Sequence, residues 1–429
     1  MRIILFVVAG ALSLAQSKPI VIKAARMFDG VSDRVVSPGL IVVLGEKIRG
    51  VGAKAEIPSG SEVVDLGDAT ILPGFMDAHT HLTNAYELDY RKQQMDGLTK
   101  TVAEQALDAS VNARVTLLAG FTTVRDVGAS DFLDVGLRNA IASGKVPGPR
   151  MLVSTNAIGA TGGHCDNAAG FKHGLFGRES GIQDGVANGP DQMRLAVRFN
   201  IKYGADVIKT CATGGVLSLT DDVDTPQLTQ AELDAMVDEA HALRRKTAAH
   251  AHGAAGAKRA IRAGIDSIEH GSFLDDEALE MMKTRGTYYV PTMMAAQGLR
   301  EVLEKGFLPP QIAAKARSAM AALDATVAKA IAKQIKIALG TDAGVYPHGR
   351  NPEEFAQMVR VGMKPIDALK AGTSVDAQLL GLFEKTGSLE TGKWADIVAV
   401  PGNPLEDIHA TEKVLFVMKE GTVFKNAKR

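Results

Sequence analysis

The chain has 429 residues, 46% hydrophobic and 23% charged, and its 48 Lys and Arg against 49 Asp and Glu leave a formal net charge of -1. That length accommodates a large barrel plus something smaller, and the charge balance excludes both a basic nucleic-acid surface and an acidic disordered tail. The 2 cysteines, Cys165 and Cys211, exclude a disulfide scaffold and an all-cysteine zinc site.

Met1-Arg2, the apolar run 3–14 and the small residues of Ser13-Leu14-Ala15 predict a signal peptide over 1–15 and a secreted or periplasmic protein. The run falls short of the roughly 20 residues a membrane span needs, so no membrane partner is expected after cleavage. Residues 18–72 then read as short strands, Ile20-Val21-Ile22 first, separated by Gly, Asp and Ser turns.

From residue 73 to 386 short apolar strands alternate with Ala-rich helical stretches. The strands fall at the run ending in Ala78 and at 122–125, 151–153, 207–209, 247–249, 267–269, 288–290 and 337–339. Helical patterns cover 103–118, 191–203, 229–245 and 254–263. Eight such units predict an α/β fold, a (β/α)8 TIM barrel over 73–386. Strands return after 386, so 18–72 and 387–427 are expected to form one composite β-sandwich domain. Two insertions, Gly-rich 158–190 and Ala-rich 294–334, interrupt the barrel; long ordered loops of this kind usually cover a binding site.

The chemistry gathers at strand ends. In Asp77-Ala78-His79-Thr80-His81 the two histidines are two residues apart, so on a strand they share a face and can share a metal. Alone, that spacing is equally a pair of ordinary histidines. His250 and His252 end the fifth strand, however, His270 ends the sixth, and Asp342 follows the eighth, all where a barrel carries its active site. Imidazoles with a carboxylate suit a divalent ion, zinc first. Lys209, at the end of the fourth strand, is either a salt-bridged rim lysine or a desolvated amine that adds carbon dioxide to become a carbamate ligand.

Several segments resemble the amidohydrolase superfamily. They are Leu72-Pro73-Gly74-Phe75-Met76 running into the His79 motif, Gly120-Phe121-Thr122-Thr123-Val124-Arg125-Asp126, and Gly387-Ser388-Leu389-Glu390-Thr391-Gly392-Lys393-Trp394-Ala395-Asp396. Thr161-Gly162-Gly163-His164-Cys165-Asp166, Lys209-Thr210-Cys211-Ala212-Thr213-Gly214-Gly215-Val216, His250-Ala251-His252-Gly253 and the stretch from Thr341 to Gly349 are similar to its secreted dipeptidase and carboxypeptidase branch. Members of that branch hydrolyse Xaa-Pro, Xaa-Arg/Lys or N-acyl amino acids, and some cleave the amide of ochratoxin A.

The resemblance implies two divalent ions, zinc first. His79, His81 and Asp342 would hold the more buried one, His250 and His270 the other, and N6-carboxylated Lys209 would bridge them. It implies an amide hydrolase in which a bridging hydroxide attacks the carbonyl and Asp342 serves as base and then acid, releasing a C-terminal amino acid. It further implies a homo-oligomer acting on a small-molecule or peptide substrate. His164 is the first candidate for the substrate carboxylate, and His252 and His348 are further candidates for substrate contact. Lys172 and Arg178 read better as solvated loop charges, and Asp221, Asp222 and Asp224 read better as an exposed acidic turn than as a partner for a basic side chain. The runner-up function is a mononuclear deaminase or cyclic-amide hydrolase of the same superfamily; Lys209 argues against it. Spacing leaves open whether Cys165 and Cys211 are bridged.

Overall fold

A computed structural model describes residues 18–427, so the signal peptide expected over 1–15 lies outside the described residues. The first strands are β1 (Ile20–Ala24), β2 (Arg26–Met27), β3 (Gly39–Leu44), β4 (Lys47–Val51), β5 (Glu62–Asp65) and β6 (Ala69–Pro73). The parallel strands β7 (Phe75–Thr80), β8 (Phe121–Asp126), β9 (Arg150–Val153), β10 (Val207–Cys211), β11 (Lys246–Gly253), β12 (Ser267–Phe273) and β13 (Tyr288–Val290) follow. Then come β14 (Ile397–Pro401), β15 (Phe416–Lys419) and β16 (Thr422–Asn426).

The two ends of the chain meet in two sheets, ordered β4-β3-β1-β5 and β16-β15-β14-β6-β2. β6 and β14, more than 300 residues apart in sequence, pair antiparallel from Ala69↔Pro401 to Ile397↔Pro73. Ile22, Ile41, Ile48, Ile71, Ile397 and Phe416, all fully buried, form the apolar cluster the two sheets share. β-branched residues at these positions fit a pleated, half-buried surface.

Strands β7-β8-β9 and β10-β11-β12-β13 are two arcs of one parallel ring. Ile158 joins the arcs through its N–H to Lys209 O and its carbonyl to Cys211 N. The expected eighth strand at 337–339 is not a regular strand. The seam closes instead through single contacts: Tyr289 N to Lys336 O, Ala338 N to Tyr289 O, and Ala78 N to Leu339 O. The cause is local. A Cβ at Gly340 would lie 2.3 Å from Val290 Cγ1 and 2.9 Å from His79 Cβ, so the backbone presses against its neighbours there. Asp342 then turns with φ 58°.

The helices between strands follow the sequence closely. They are α1 (Tyr90–Thr99), α2 (Val102–Leu118), α3 (Leu133–Ala142), α4 (Pro190–Lys202), α5 (Gln230–Ala242), α6 (Ala254–Ala263), α7 (Asp276–Arg285), α8 (Met293–Glu304), α9 (Pro310–Ala332) and α10 (Glu353–Arg360). Thr101 with Glu104, and Thr229 with Glu232, close reciprocal capping boxes that start α2 and α5. The Ala-rich excursion 294–334 is the helical pair α8 and α9. No helix of the described residues is long and apolar enough to cross a membrane.

The closing Gly387–Asp396 motif seals the ring against the sheets. Buried Asp396 accepts from Arg150 Nη1 at 2.8 Å, from Thr386 Oγ1 at 2.9 Å and from Glu420 N at 2.9 Å. Arg150 also reaches Thr123 and Glu420, and its guanidinium lies 4.1 Å from the Trp394 ring centroid. Removing Asp396 leaves Arg150 with Glu420 as its one remaining carboxylate and deprives the Thr386 hydroxyl and the Glu420 N–H of their acceptor. Asp396→Ala should therefore destabilise the protein by about 2–4 kcal/mol, read from chemical denaturation, whereas a loss below about 1 kcal/mol would mean the pair is solvated.

Candidate metal centre

The C-terminal ends of the parallel strands open into a cavity of about 820 Å³ whose lining includes His79, His81, His164, Lys209, His250, His252, His270 and Asp342. Ring centroids of His79 and His270 are 4.9 Å apart, those of His250 and His270 4.5 Å, and those of His79 and His81 5.4 Å. His79, His270 and Asp342 offer ligand atoms all within 4.8 Å of one another. The structure thus brings together residues from β7, β10, β11, β12 and the seam that are remote in sequence.

Each imidazole is fixed through one nitrogen and leaves the other for the cavity. His79 Nδ1 donates to Glu269 Oε2 at 2.7 Å, and His79 Nε2 faces Asp342 Oδ1 at 3.5 Å. His81 Nδ1 donates to the Gly128 carbonyl at 3.2 Å, leaving Nε2 3.3 Å from the same Asp342 oxygen. His250 Nε2 donates to the Gly214 carbonyl at 3.1 Å, which frees Nδ1. His270 Nδ1 lies 2.8 Å from Thr292 Oγ1, which frees Nε2. Such outer contacts set tautomer and ring orientation in metal sites.

Glu269 is itself held. Its Oε1 accepts from Arg125 Nη2 at 2.8 Å, while Arg125 Nη1 reaches Ser267 Oγ at 3.1 Å and Arg125 Nε donates to the Ala78 carbonyl. Burial alone would raise the Glu269 carboxyl, but Arg125 and His79 hold it at about 2. Sequence reasoning did not assign Arg125 or Glu269 a part in positioning ligands. The available signal was a charged residue inside each of two apolar strands, which is rarely left unpaired. Asp77 has a parallel role across the seam: it accepts from Thr341 Oγ1 at 2.6 Å, Thr341 N at 3.0 Å and Asn351 Nδ2 at 2.9 Å, fixing the residue before Asp342.

Electrostatics suits cation ligation. Burial lowers His79 to about 4 and takes His250 and His270 well below the ordinary value, so these rings are neutral with a lone pair available. Burial would lower His81 as well, but its hydrogen bond with Asp342 raises it. Asp342 resists the rise that burial would cause because His79 and His81 stand beside it. Burial brings Lys209 down to about 8, giving an amine that is partly neutral near physiological pH. The donor set of neutral imidazoles, one carboxylate and one desolvated amine fits a divalent ion. His270 and Asp342 both have left-handed backbone, φ 66° and 58°, a conformation costing on the order of 1–3 kcal/mol for a residue with a side chain.

The substrate-contact expectations divide. His164 lines the cavity 4.2 Å from the His250 ring. A Cβ on Gly215 would stand 2.2 Å from its Cε1, so only glycine fits beneath that ring. Ser218 Oγ gives its proton to Asp221 Oδ1 at 2.6 Å and therefore accepts from His164 Nδ1 at 3.0 Å. Burial lowers His164 to about 4, so it presents the lone pair of Nε2 to the cavity; meeting a carboxylate would require its protonation. His252 also lines the cavity, its Nδ1 3.0 Å from Ser272 Oγ. His348 does not: Gly344 and Val345 still line the cavity, but His348 lies beyond them and its Nε2 donates to the Asn84 carbonyl at 3.1 Å beside a separate depression. Arg178 is spent on Asp184, as expected of a loop charge. Cys165 and Cys211 form a disulfide, Cα–Cα 5.9 Å, that pins the Gly-rich segment to β10 two residues beyond Lys209.

Comparison with known proteins agrees with this geometry. The amidohydrolase family pattern matches residues 70–424. The ochratoxinase of Aspergillus niger is 32% identical over 96% of this chain and 88% of its own. A solved Xaa-Pro dipeptidase with methionine bound in its active site is 42% identical, with TM-score 0.89, over 95% of this chain and 100% of that one. A prolidase solved in complex with N-methylphosphonate-L-proline is 29% identical, with TM-score 0.85, over 95% and 100%. With its strand-end ligand cluster, its parallel ring and these relatives, the chain belongs to the amidohydrolase family, hydrolases that act on amide bonds.

Proposed function

We propose that this protein is a binuclear metal-dependent hydrolase that releases a C-terminal amino acid from dipeptides, N-acyl amino acids or ochratoxin A-like amides. The observation that carries metal dependence is the grouping of His79, His270 and Asp342, whose ligand atoms lie within 4.8 Å of one another; the division of ligands between two ions rests on the family resemblance and on the 4.5 Å between the His250 and His270 rings. His81 and His250, each with one nitrogen fixed elsewhere, would complete the donor set, and Lys209, in the middle of β10 and on the cavity wall, would bridge the ions. The ochratoxinase, Xaa-Pro dipeptidase and prolidase relatives support the choice of an amide to an amino acid.

In this reading His79, His81 and Asp342 would hold one ion and His250 and His270 the other. Divalent ions, when bound, supply Lewis acidity that acidifies water and polarises a carbonyl oxygen. Asp342, kept ionised by its histidine neighbours, accepts the proton of the attacking water and returns it to the departing nitrogen. The neutral amine of Lys209 could add carbon dioxide, giving up one N–H proton to solvent, and the resulting carbamate would supply a further anionic donor to the ions. Glu269 and Arg125 position His79 without touching substrate. A mononuclear deaminase gives Lys209 no task, although it lies on the cavity wall.

Four outcomes follow. Chelation should abolish hydrolysis of N-acyl amino acids and zinc should restore it; activity that survives complete removal of divalent ions sinks the proposal. Elemental analysis should find close to two metal ions per wild-type chain. Lys209→Ala should lose metal and at least about tenfold in kcat/KM together, and full activity with a full metal complement would refute the bridge. In Glu269→Gln, one amide cannot accept from both Arg125 and His79. Zinc affinity should weaken by about 10–100-fold in competition with a chelating dye, with part of kcat recovered at saturating zinc. Unchanged affinity would show that His79 needs no anchor.

A further inference from the structure

The cavity above the ligand cluster has two unlike sides. One opens to solvent between α1 and the Gly-rich segment, where Leu98, Phe176 and Arg178 are exposed. Its cations are already paired, Lys100 with Asp108 at 2.8 Å and Arg178 with Asp184. The other side is closed and built by α8, α9 and the turn after β10. Thr292, which holds His270 Nδ1, caps α8; Ala295 and Leu299 follow it at i+3 and i+7 and so share its face. On α9, Ala316, Ala319 and Leu323 recur with the same period. Leu299, Ala316 and Ala319 pack into one apolar cluster with Val216, and all four line the cavity. The small side chains on α9 leave volume at the surface of that wall.

The wall also lacks an accessible carboxylate. Asp221, the acid behind it, accepts from Ser218 Oγ at 2.6 Å, Gln227 Nε2 at 2.9 Å and Lys315 Nζ at 3.0 Å. Lys315 reaches from α9 and also donates to the carbonyls of Gly215 and Ser218, both at 2.6 Å, and of Asp221 at 3.0 Å. The site's own lysine therefore occupies the place a substrate ammonium would need. A second cation pushed against this wall would lose its hydration without an acceptor in return. An apolar side chain would exchange water for the faces of α8 and α9.

We propose that the wall of Val216, Ala295, Leu299, Ala316 and Ala319 is the side-chain subsite for the departing amino acid, and that it selects uncharged apolar side chains such as those of methionine, leucine and phenylalanine against lysine and arginine. The closed side suits a side chain, which has an end, and the open side suits acyl groups of any length. Of the two readings of the acidic run Asp221, Asp222 and Asp224, the acidic turn fits and the partner for a basic substrate does not: Asp221 is ion-paired with Lys315, and Asp222 and Asp224 are exposed and do not line the cavity. This inference rests on the proposed amide hydrolysis.

Two readouts on the zinc-loaded enzyme separate the two ideas. The first is kcat/KM for N-acetyl derivatives of methionine, leucine, phenylalanine, lysine and arginine. The second is calorimetric binding of free L-methionine and L-arginine, which requires no turnover. Apolar compounds should be favoured by about tenfold or more in both, the range one hydrophobic pocket can supply. Ala319→Phe, which fills the wall, should lower the ratio of N-acetylphenylalanine to N-acetylalanine hydrolysis by about tenfold, with Ala319→Val intermediate if the larger residue prevents folding. Equal or better handling of the basic compounds overturns the subsite, as does a ratio unmoved by a folded variant. Failure to cleave any N-acyl compound overturns the hydrolase assignment instead, and methionine binding still reports on the wall; no binding and no cleavage overturns both.

Discussion

The arrangement depends on a charge buried beneath the ligand cluster. Glu269 has no exposed surface and survives as an anion only because Arg125, equally buried, stands 2.8 Å away and His79 accepts its orientation from the other oxygen. A lone carboxylate there would take up a proton, and the His79 ring would then be free to turn. Arg125 is also bound to the Ala78 carbonyl and to Ser267 Oγ, so a single guanidinium ties β7, β8 and β12 together and fixes the ring that faces Asp342. Packing and ligand geometry are thus the same interaction seen from two sides.

Asp77 applies the same logic to the seam. The stretch 336–343 has too few ladder bonds to hold itself as a strand, and its course is set instead by Asp77 gripping Thr341 and Asn351. The reward is placement: His79 O receives the N–H of both Thr341 and Asp342, and His81 N donates to Ala343 O. The acidic ligand is therefore delivered against the two histidines of β7 by the motif that carries them. Left-handed backbone at His270 and Asp342 is tolerated because these surrounding bonds over-determine it.

Much of this was legible in the chain. The alternation of strand and helix, and the gathering of His79, His81, Lys209, His250, His270 and Asp342 on the strands' C-terminal side, follow from period and spacing. Three features were not. The eighth strand looks regular in sequence because Ile337, Ala338 and Leu339 are apolar, and only tertiary crowding at Gly340 reveals why it cannot be. His348 lies near Asp342 in sequence, but proximity along the chain says nothing of the direction a loop takes after a left-handed turn. Arg125 and Glu269 belong to motifs that drew notice, yet a sequence cannot tell which buried charge answers which. The apolar wall came from the same limit: the acidic turn 221–224 looked available because its partner, Lys315, is more than 90 residues downstream.

The Cys165–Cys211 bridge spans a sequence separation of 46 and encloses the most solvent-exposed stretch near the site, residues 172–179. A protease that nicked that stretch would cut the backbone without severing the molecule. Both new ends would remain covalently attached on the far side of the bridge, with His164 still beside His250. The rim of the active site can therefore be clipped once, at its most vulnerable point, and stay assembled.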